Sequence, residues 1–367
     1  MNWSNRKLVT LVVAGLVVLC VQSAPVAAVS LKLATLIPEG SIWDKALREM
    51  GDQWKRDTEG RVSLRIYAGG VAGNESDILR KMRIGQLHAA ALTVAGLEDI
   101  DPAFGVLSMP LFYESFDEYL YVLDGLSSEL RAKLEAKDYV LLHWGHGGWV
   151  RFFSREPIRG MDDLRRQKIF VTAGADRMFA IWKDNGFKPV ALAPTDIMTG
   201  FQTGMIDVLA TPPLAALSLQ WFRQAKFMQA SGLAPLSGAT VVARSAWDRI
   251  DEADRKKLLE DAEAYEKRQR AEIPEQEQIA IDEMVKRGLT VTPADESAEW
   301  QTTATRLAES MRGSLVPREF YDMAVKLRDE FRSRSSLARP LREPARSSGP
   351  EAEPDAAGRR AAGEAGF

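Results

Sequence analysis

Leu31-Lys-Leu-Ala-Thr-Leu-Ile37, then Pro38-Glu-Gly40, then Ser41-Ile-Trp-Asp-Lys-Ala-Leu47 is the stretch on which the fold turns. Its first seven residues alternate as a half-buried strand does, and Pro38-Glu-Gly40 ends the run. Ser41 is a residue type that caps a helix by accepting an amide N–H from the following turn. The helix it opens runs to about Glu59, with Ile42, Leu47, Met50 and Trp54 on one face. Gly60 supplies a stop. Arg61 to Tyr67 alternates again, Asp77 to Ile84 reads as a short helix closed by Gly85, and Ala89 to Val94 is a fully buried strand. A β-α-β-α-β order predicts an α/β fold with a largely parallel sheet and helices on both faces.

The pattern restarts downstream. Tyr139 to Trp144 and Trp149 to Ser154 read as strands. Lys168 to Thr172 is another, followed by a helix from Asp176 to Asn185 and a strand from Pro189 to Ala193. A helix from Asp196 to Thr203 ends at Gly204, and Ile206 to Ala210 is a buried strand. Two α/β units without a detectable repeat predict two lobes. The expected division is 29–148 plus about 238–273 for lobe I, and 149–237 plus about 274–332 for lobe II. Asp254 to Arg287 is a charged helical stretch that would reach roughly 50 Å, longer than one small lobe. Pro274 near its middle predicts a kink or a break. From Ala338 onward large apolar residues nearly vanish, and a disordered tail over 333–367 is expected because little burial offsets the ordering entropy.

The 367 residues are 46% apolar and 27% charged, an ordinary globular composition. The formal charge is −3, and such a mildly acidic chain lacks the basic face that nucleic-acid binding needs. Residues 1–28 read as a cleavable export signal. Arg6 and Lys7 precede an apolar run from Leu8 to Val21, too short to span a bilayer comfortably, and small residues flank a cleavage point after Ala28. A retained anchor is the alternative, and a lipoprotein reading through Cys20 fails on Leu19, where a small residue is needed. A soluble, exported protein is therefore expected. Cys20 is the only cysteine, so removing the leader removes every thiol, and with it disulfides, Cys-metal sites and Cys nucleophiles.

Catalytic motifs are absent. His143-Trp-Gly-His146 lacks the i, i+4 spacing of a helical metal pair, and Gly145, Gly147 and Gly148 suggest a loop. No nucleophile elbow, phosphate loop or dinucleotide fingerprint occurs. Asp162 or Asp163 reads as the cap of a short helix leading to Leu164, in preference to a paired-carboxylate site. No metal, no cofactor and no catalytic residue is expected. An exported enzyme on the same architecture would need an acid–base pair in a cleft, and His143, His146 and Asp207 lack convincing partners. Ligands of open α/β sheets bind outside the carboxyl ends of strands. Residues 38–43, 93–96, 172–175 and 211–213 occupy such ends, with Trp43, Trp149, Phe152 and Phe170 nearby.

These segments, in order and spacing, resemble the DctP-like family, the extracytoplasmic solute-binding proteins of TRAP transporters, over about Leu31 to Arg332. Gly60-Arg-Val-Ser-Leu-Arg-Ile-Tyr67 resembles the family's second strand. Ala72-Gly-Asn-Glu75 through Ile84-Gly-Gln-Leu87 is similar to its "LG-x-E … G-x-hydrophobic-D" stretch, with His88 where Asp is common. Met109-Pro-Leu-Phe112 resembles "LPFLF", Pro157-Ile through Asp163-Leu164 and Lys168-Ile169 resembles "kPI-x-x-x-x-DLkGlKiR", and Phe201-Gln-Thr-Gly204 through Ile206-Asp207 resembles "aLqtGvvD".

The resemblance implies a two-lobe periplasmic binding protein with a hinge and a lobe-spanning helix. It would do no chemistry, and would hand a small ligand to a TRAP permease of small and large membrane subunits. A lipid carrier or sensor ectodomain is the further alternative on this fold. The family's carboxylate-clamping Arg falls at Phe170, its ligand-contacting Asn at Thr211, and Arg151, or Val150 one residue earlier, lies at a second family Arg. Exchanging Arg for Phe removes about 1.5–3 kcal/mol of charged hydrogen bonding, so a more apolar ligand than a C4-dicarboxylate is expected. Arg151 would anchor charge, Trp43, Trp149 and Phe170 would pack the ligand, Thr93, Thr172 and Thr211 would hydrogen-bond to it, and Pro212 would complete the wall.

Overall fold

A computed structural model describes residues 28–293 and 297–338. The leader before Ala28 and the tail beyond Ala338 lie outside the described residues. The first α/β unit comprises β1 (Val29–Thr35), α1 (Ile42–Asp57), β2 (Val62–Tyr67), α2 (Glu75–Arg83), β3 (Ala89–Thr93) and α3 (Val94–Glu98). Ser41 does cap α1, its hydroxyl accepting the Asp44 N–H. A 3-10 turn (Pro102–Ser108) and α4 (Phe116–Glu135) lead into β4 (Tyr139–Ser154). The second unit comprises α5 (Met161–Arg166), β5 (Lys168–Thr172), α6 (Asp176–Asp184), β6 (Lys188–Leu192), α7 (Ile197–Thr203), β7 (Val208–Thr211) and α8 (Pro213–Ser218). Then come β8 (Phe227–Ala243), α9 (Arg244–Trp247), α10 (Glu252–Lys286), β9 (Thr290–Thr292), α11 (Ala298–Met311) and α12 (Arg318–Ala338).

The strands form one sheet among the described residues, ordered β2-β1-β3-β8-β4-β7-β5-β6, with β9 on β8. Five of its eight strand pairings are parallel, as expected, and an antiparallel seam lies in the middle. Parallel pairs do build each end, but β3–β8, β8–β4 and β4–β7 are antiparallel. The reason is length: β4 has 16 residues and β8 has 17, so each reaches roughly 50 Å and joins both units. The separate strands expected at 139–144 and 149–154 are one. The glycines between them bulge the ladder without breaking it: the register shifts at His146/Gly148, and Gly148 has φ +101°, a conformation suited to glycine. His143 and His146 accordingly lie in a strand and not in a loop.

Three further expectations need correction. Pro274 does not break α10, which runs unbroken through it for 35 residues. Tyr265, Ile273, Ala280 and Met284 are buried on either side of it, and that packing outweighs the roughly 3 kcal/mol a helical proline costs. The tail does not begin at 333, because α12 continues to Ala338. Gly160, with no side-chain bond, is the N-cap of α5. Asp163 instead accepts the Arg159 N–H at 3.0 Å from within the first turn.

The sheet is buried on both faces. One face carries α1, α9 and the start of α10 over Leu31, Leu33 and Val242. Farther along the same helix, Met284 joins Phe153, Ile197, Phe201 and Leu209. Other helices cover a larger cluster running from Ala34 and Phe104 to Phe152 and Trp182. Between the units a small cluster brings Trp43 of α1 together with Leu214 of α8 and Ile273 and Ala280 of α10. Tertiary contact across the molecule is made there.

Candidate functional site

A cavity of about 220 Å³ lies beside that cluster, outside the carboxyl ends of β1 and β3. Thr35 to Pro38, Trp43, Glu75 and Thr93 wall it from the first unit and Ala215 of α8 from the second. The floor comes from elements that serve both units: His143 to Gly147 without Trp144 on β4, Leu236 to Thr240 on β8, and Tyr265 and Gln269 on α10. Strand ends meeting a switch in strand direction is the usual place for a ligand in an α/β sheet.

The polar groups of the wall are neutral or already engaged. Glu75 accepts the Thr93 N–H at 2.6 Å and its hydroxyl at 2.7 Å, while burial pushes the carboxyl up. Thr93 is thereby fixed, its hydroxyl proton given to Glu75. His143 places Nδ1 3.0 Å from the Trp144 carbonyl and packs edge-on against Tyr265, ring centres 4.6 Å apart. Burial pushes its pKa down to about 4, so the ring is neutral at pH 7. His146 is lowered by burial too, against the pull of Glu266. Gln269 donates Nε2–H to the Tyr265 hydroxyl at 2.8 Å.

Two carboxylates of α10 fasten the helix to β4 along this floor. Glu266 accepts the Trp144 N–H at 2.8 Å and pairs with Arg270, which also grips Asp124 of α4. Burial raises Glu266, but the nearby His146, with Nε2 3.9 Å away, the Trp144 N–H and the Arg270 guanidinium outweigh it and hold the carboxyl at about 2. Glu277 accepts the Trp149 N–H at 2.7 Å.

Residues 33–313 match the model of the bacterial extracellular solute-binding proteins, family 7, known as DctP. The chain belongs to this family. A solute-binding protein of Chromohalobacter salexigens is 26% identical over 259 residues, which is 70% of this chain and 77% of that protein. The 2,3-diketo-L-gulonate-binding periplasmic protein of Escherichia coli is 24% identical over 248 residues, 67% of this chain and 75% of its own. Among solved structures, a TRAP periplasmic solute-binding protein of Chromohalobacter salexigens with bound D-glucuronate has a TM-score of 0.74 at 22% identity, covering 82% of this chain and 99% of that one. An extracytoplasmic solute receptor of Bordetella pertussis binding pyroglutamic acid also reaches 0.74, at 17% identity, over 82% and 100%. These likenesses show the two-lobe α/β fold of solute-binding receptors. DctP proteins are receptors and not an enzyme family. No group of three or more metal-ligating side chains is assembled among the described residues, and none of their helices is long and apolar enough to cross a membrane.

Within this DctP fold the residues singled out from sequence separate. Trp43 and Thr93 line the cavity; the other six do not. Trp149 is buried, its indole lying across Gly232 of β8 so closely that a Cβ there would overlap Nε1. Arg151 pairs with Thr211 in the β4–β7 ladder, and its Nη1 donates to the Ala230 carbonyl. Burial lowers its pKa, opposed by Glu277. Phe170 packs with Val190 and Leu192 against the Phe153–Phe201 cluster. Thr172 is exposed at the end of β5, and Pro212 precedes α8. Sequence reasoning missed Glu75, Tyr265 and Gln269, and it placed the two histidines in a loop. The available signal was the polar side chains Tyr265 and Gln269 one helical turn apart in a charged helix.

Proposed function

We propose that this chain is the periplasmic receptor of a TRAP-type importer. It captures a small organic acid or a more apolar ligand between its lobes and delivers it to the small and large membrane subunits of a permease. The observation that carries this reading is the cavity walled by Trp43 and Thr93 on one side and by Ala215 on the other, floored by elements common to both units. A ligand there touches both sides at once, so it binds the closed arrangement better than an open one. Lobe I then comprises 29–148 with about 238–273, lobe II comprises 149–237 with about 274–332, and residues 1–28 direct export and are removed.

The relatives' ligands are the first compounds to test. Thermal shift and small-angle scattering on the purified chain, with D-glucuronate, D-galacturonate, L-gulonate and pyroglutamate, check the reading. A ligand at 100 times its dissociation constant adds about 2.7 kcal/mol, and its binding is expected to contract the protein. Binding without contraction would remove the lobe-closing role.

A further inference from the structure

We infer that the cavity seats an uncharged, largely hydrocarbon part of the ligand that carries a hydroxyl or N–H donor, and not its carboxylate. This deepens the importer reading and rests on it. The first observation is charge. Among the described residues no Lys or Arg lines the cavity, whereas Glu75 does. A ligand carboxylate would lose its hydration, meet no cation and face an acid, a costly burial.

The second observation is the direction of the hydrogen bonds left open. His143 is only 4% exposed. The Trp144 carbonyl can only accept, so Nδ1 carries the proton and Nε2 presents a lone pair, which has no partner among the described residues. Gln269 gives one N–H of its amide to Tyr265, and its Oε1, also buried, has no partner among the described residues. Both are acceptors, and a carboxylate, itself only an acceptor, satisfies neither. A hydroxyl or ring N–H does. Trp43 contributes the opposite complement, an unpartnered Nε1–H, which a hydroxyl oxygen can take. The rest of the wall, Leu36, Ile37, Leu47, Leu92 and Leu236 among it, is hydrocarbon.

The third observation is size. An apolar cavity of about 150 Å³ holds benzene, so the about 220 Å³ here takes one ring with a substituent or a fused pair. Arg151 does not supply a charge to this space: it is absent from the lining and bonded to Ala230.

Calorimetry with phenol, indole, anisole and benzoate tests the assignment on the purified chain. Phenol and indole are expected to bind. Anisole, which has the ring without the donor, should bind about five- to ten-fold more weakly than phenol, the worth of one neutral hydrogen bond, and benzoate should not bind. His143→Phe or Gln269→Leu, whichever removes the acceptor that the single phenol proton uses, should weaken phenol by a similar factor. Neither should change anisole, and phenol binding unweakened in both variants overturns the assignment. Benzoate binding as tightly as phenol, anisole matching phenol, or no binding of phenol and indole overturns the assignment. Contraction of the protein by D-glucuronate, measured in parallel, reports on the importer reading separately.

Discussion

Glu277 of α10 takes the backbone N–H of Trp149 on β4 at 2.7 Å in the protein interior. Three helical turns earlier, Glu266 takes the N–H of Trp144. The spacings match: eleven helical residues advance about 16 Å, as do five strand residues. α10 thus supplies a carboxylate acceptor to each of these two N–H groups at the pitch of the strand. Its two halves are thereby held to a strand that runs through both units.

Glu277 should reveal itself through pH. Burial pushes its carboxyl up to about 7, against the Trp149 N–H and Arg151. A folded-state pKa above the unfolded one means that stability falls as pH rises from about 4.5 to about 7. Glu277→Gln keeps an acceptor for Trp149 and abolishes the ionisation. The variant is expected to match the parent near pH 5 and to exceed it by about 1–3 kcal/mol at pH 8. Urea denaturation at the two pH values checks this, and equal differences at both would rule it out.

His143 carries the opposite sign. Its folded-state pKa of about 4 lies below the ordinary 6.5, so the unfolded chain binds the proton first and stability drops as pH falls from 6.5 toward 4. His143→Gln cannot charge. Its acid limb should be shallower than the parent's by about 1–3 kcal/mol over that interval. Parallel limbs in acid titrations of unfolding would mean that the ring is protonated in the folded protein.

What the sequence made legible was local. Ser41 bonds three residues ahead, Gly204 ends α7 with φ +70°, and both can be read within a few positions. The parallel halves followed from the order of strands and helices. The antiparallel seam did not, because residues 227–243 pair with β3 and β4, far away in the chain, and no element was read there. The same holds for the site. Trp43 and Thr93 sit at strand ends that sequence order can place. The chemistry of His143 depends on Tyr265, which only the docking of α10 brings beside it. Phe170 was chosen by family position, and its surroundings come from α7 and β6, which no motif describes.

Trp149 and Gly232 should behave as a pair. The indole occupies the place a side chain at 232 would need, so Gly232→Ala must displace a buried ring from a packed core. Overpacking of this kind costs about 1–3 kcal/mol. Trp149→Ala alone loses about 3–5 kcal/mol through the cavity it leaves. In the double variant the methyl added at position 232 meets no ring, and the combined loss is expected to fall short of the sum by at least about 1 kcal/mol. Strict additivity in a double-mutant cycle of denaturation free energies would show that the two do not share the space.

Closure should depend on Leu214. It is buried against Trp43, Ile273 and Ala280 in the small cluster where the units meet, and its neighbour Ala215 lines the cavity. Leu214→Asp places a charge in that contact, while each unit keeps its own core. Burying an unpaired carboxylate is costly, and separation of the units lets water reach it. The variant is therefore expected to bind ligand at least about ten-fold more weakly, the reduction that follows when the competent state falls to a tenth of its population. Thermal unfolding without ligand should change little. Small-angle scattering should show a larger radius than the parent's at the same ligand concentration. A variant that binds and contracts like the parent would place the closing contact elsewhere than between Trp43 and Leu214.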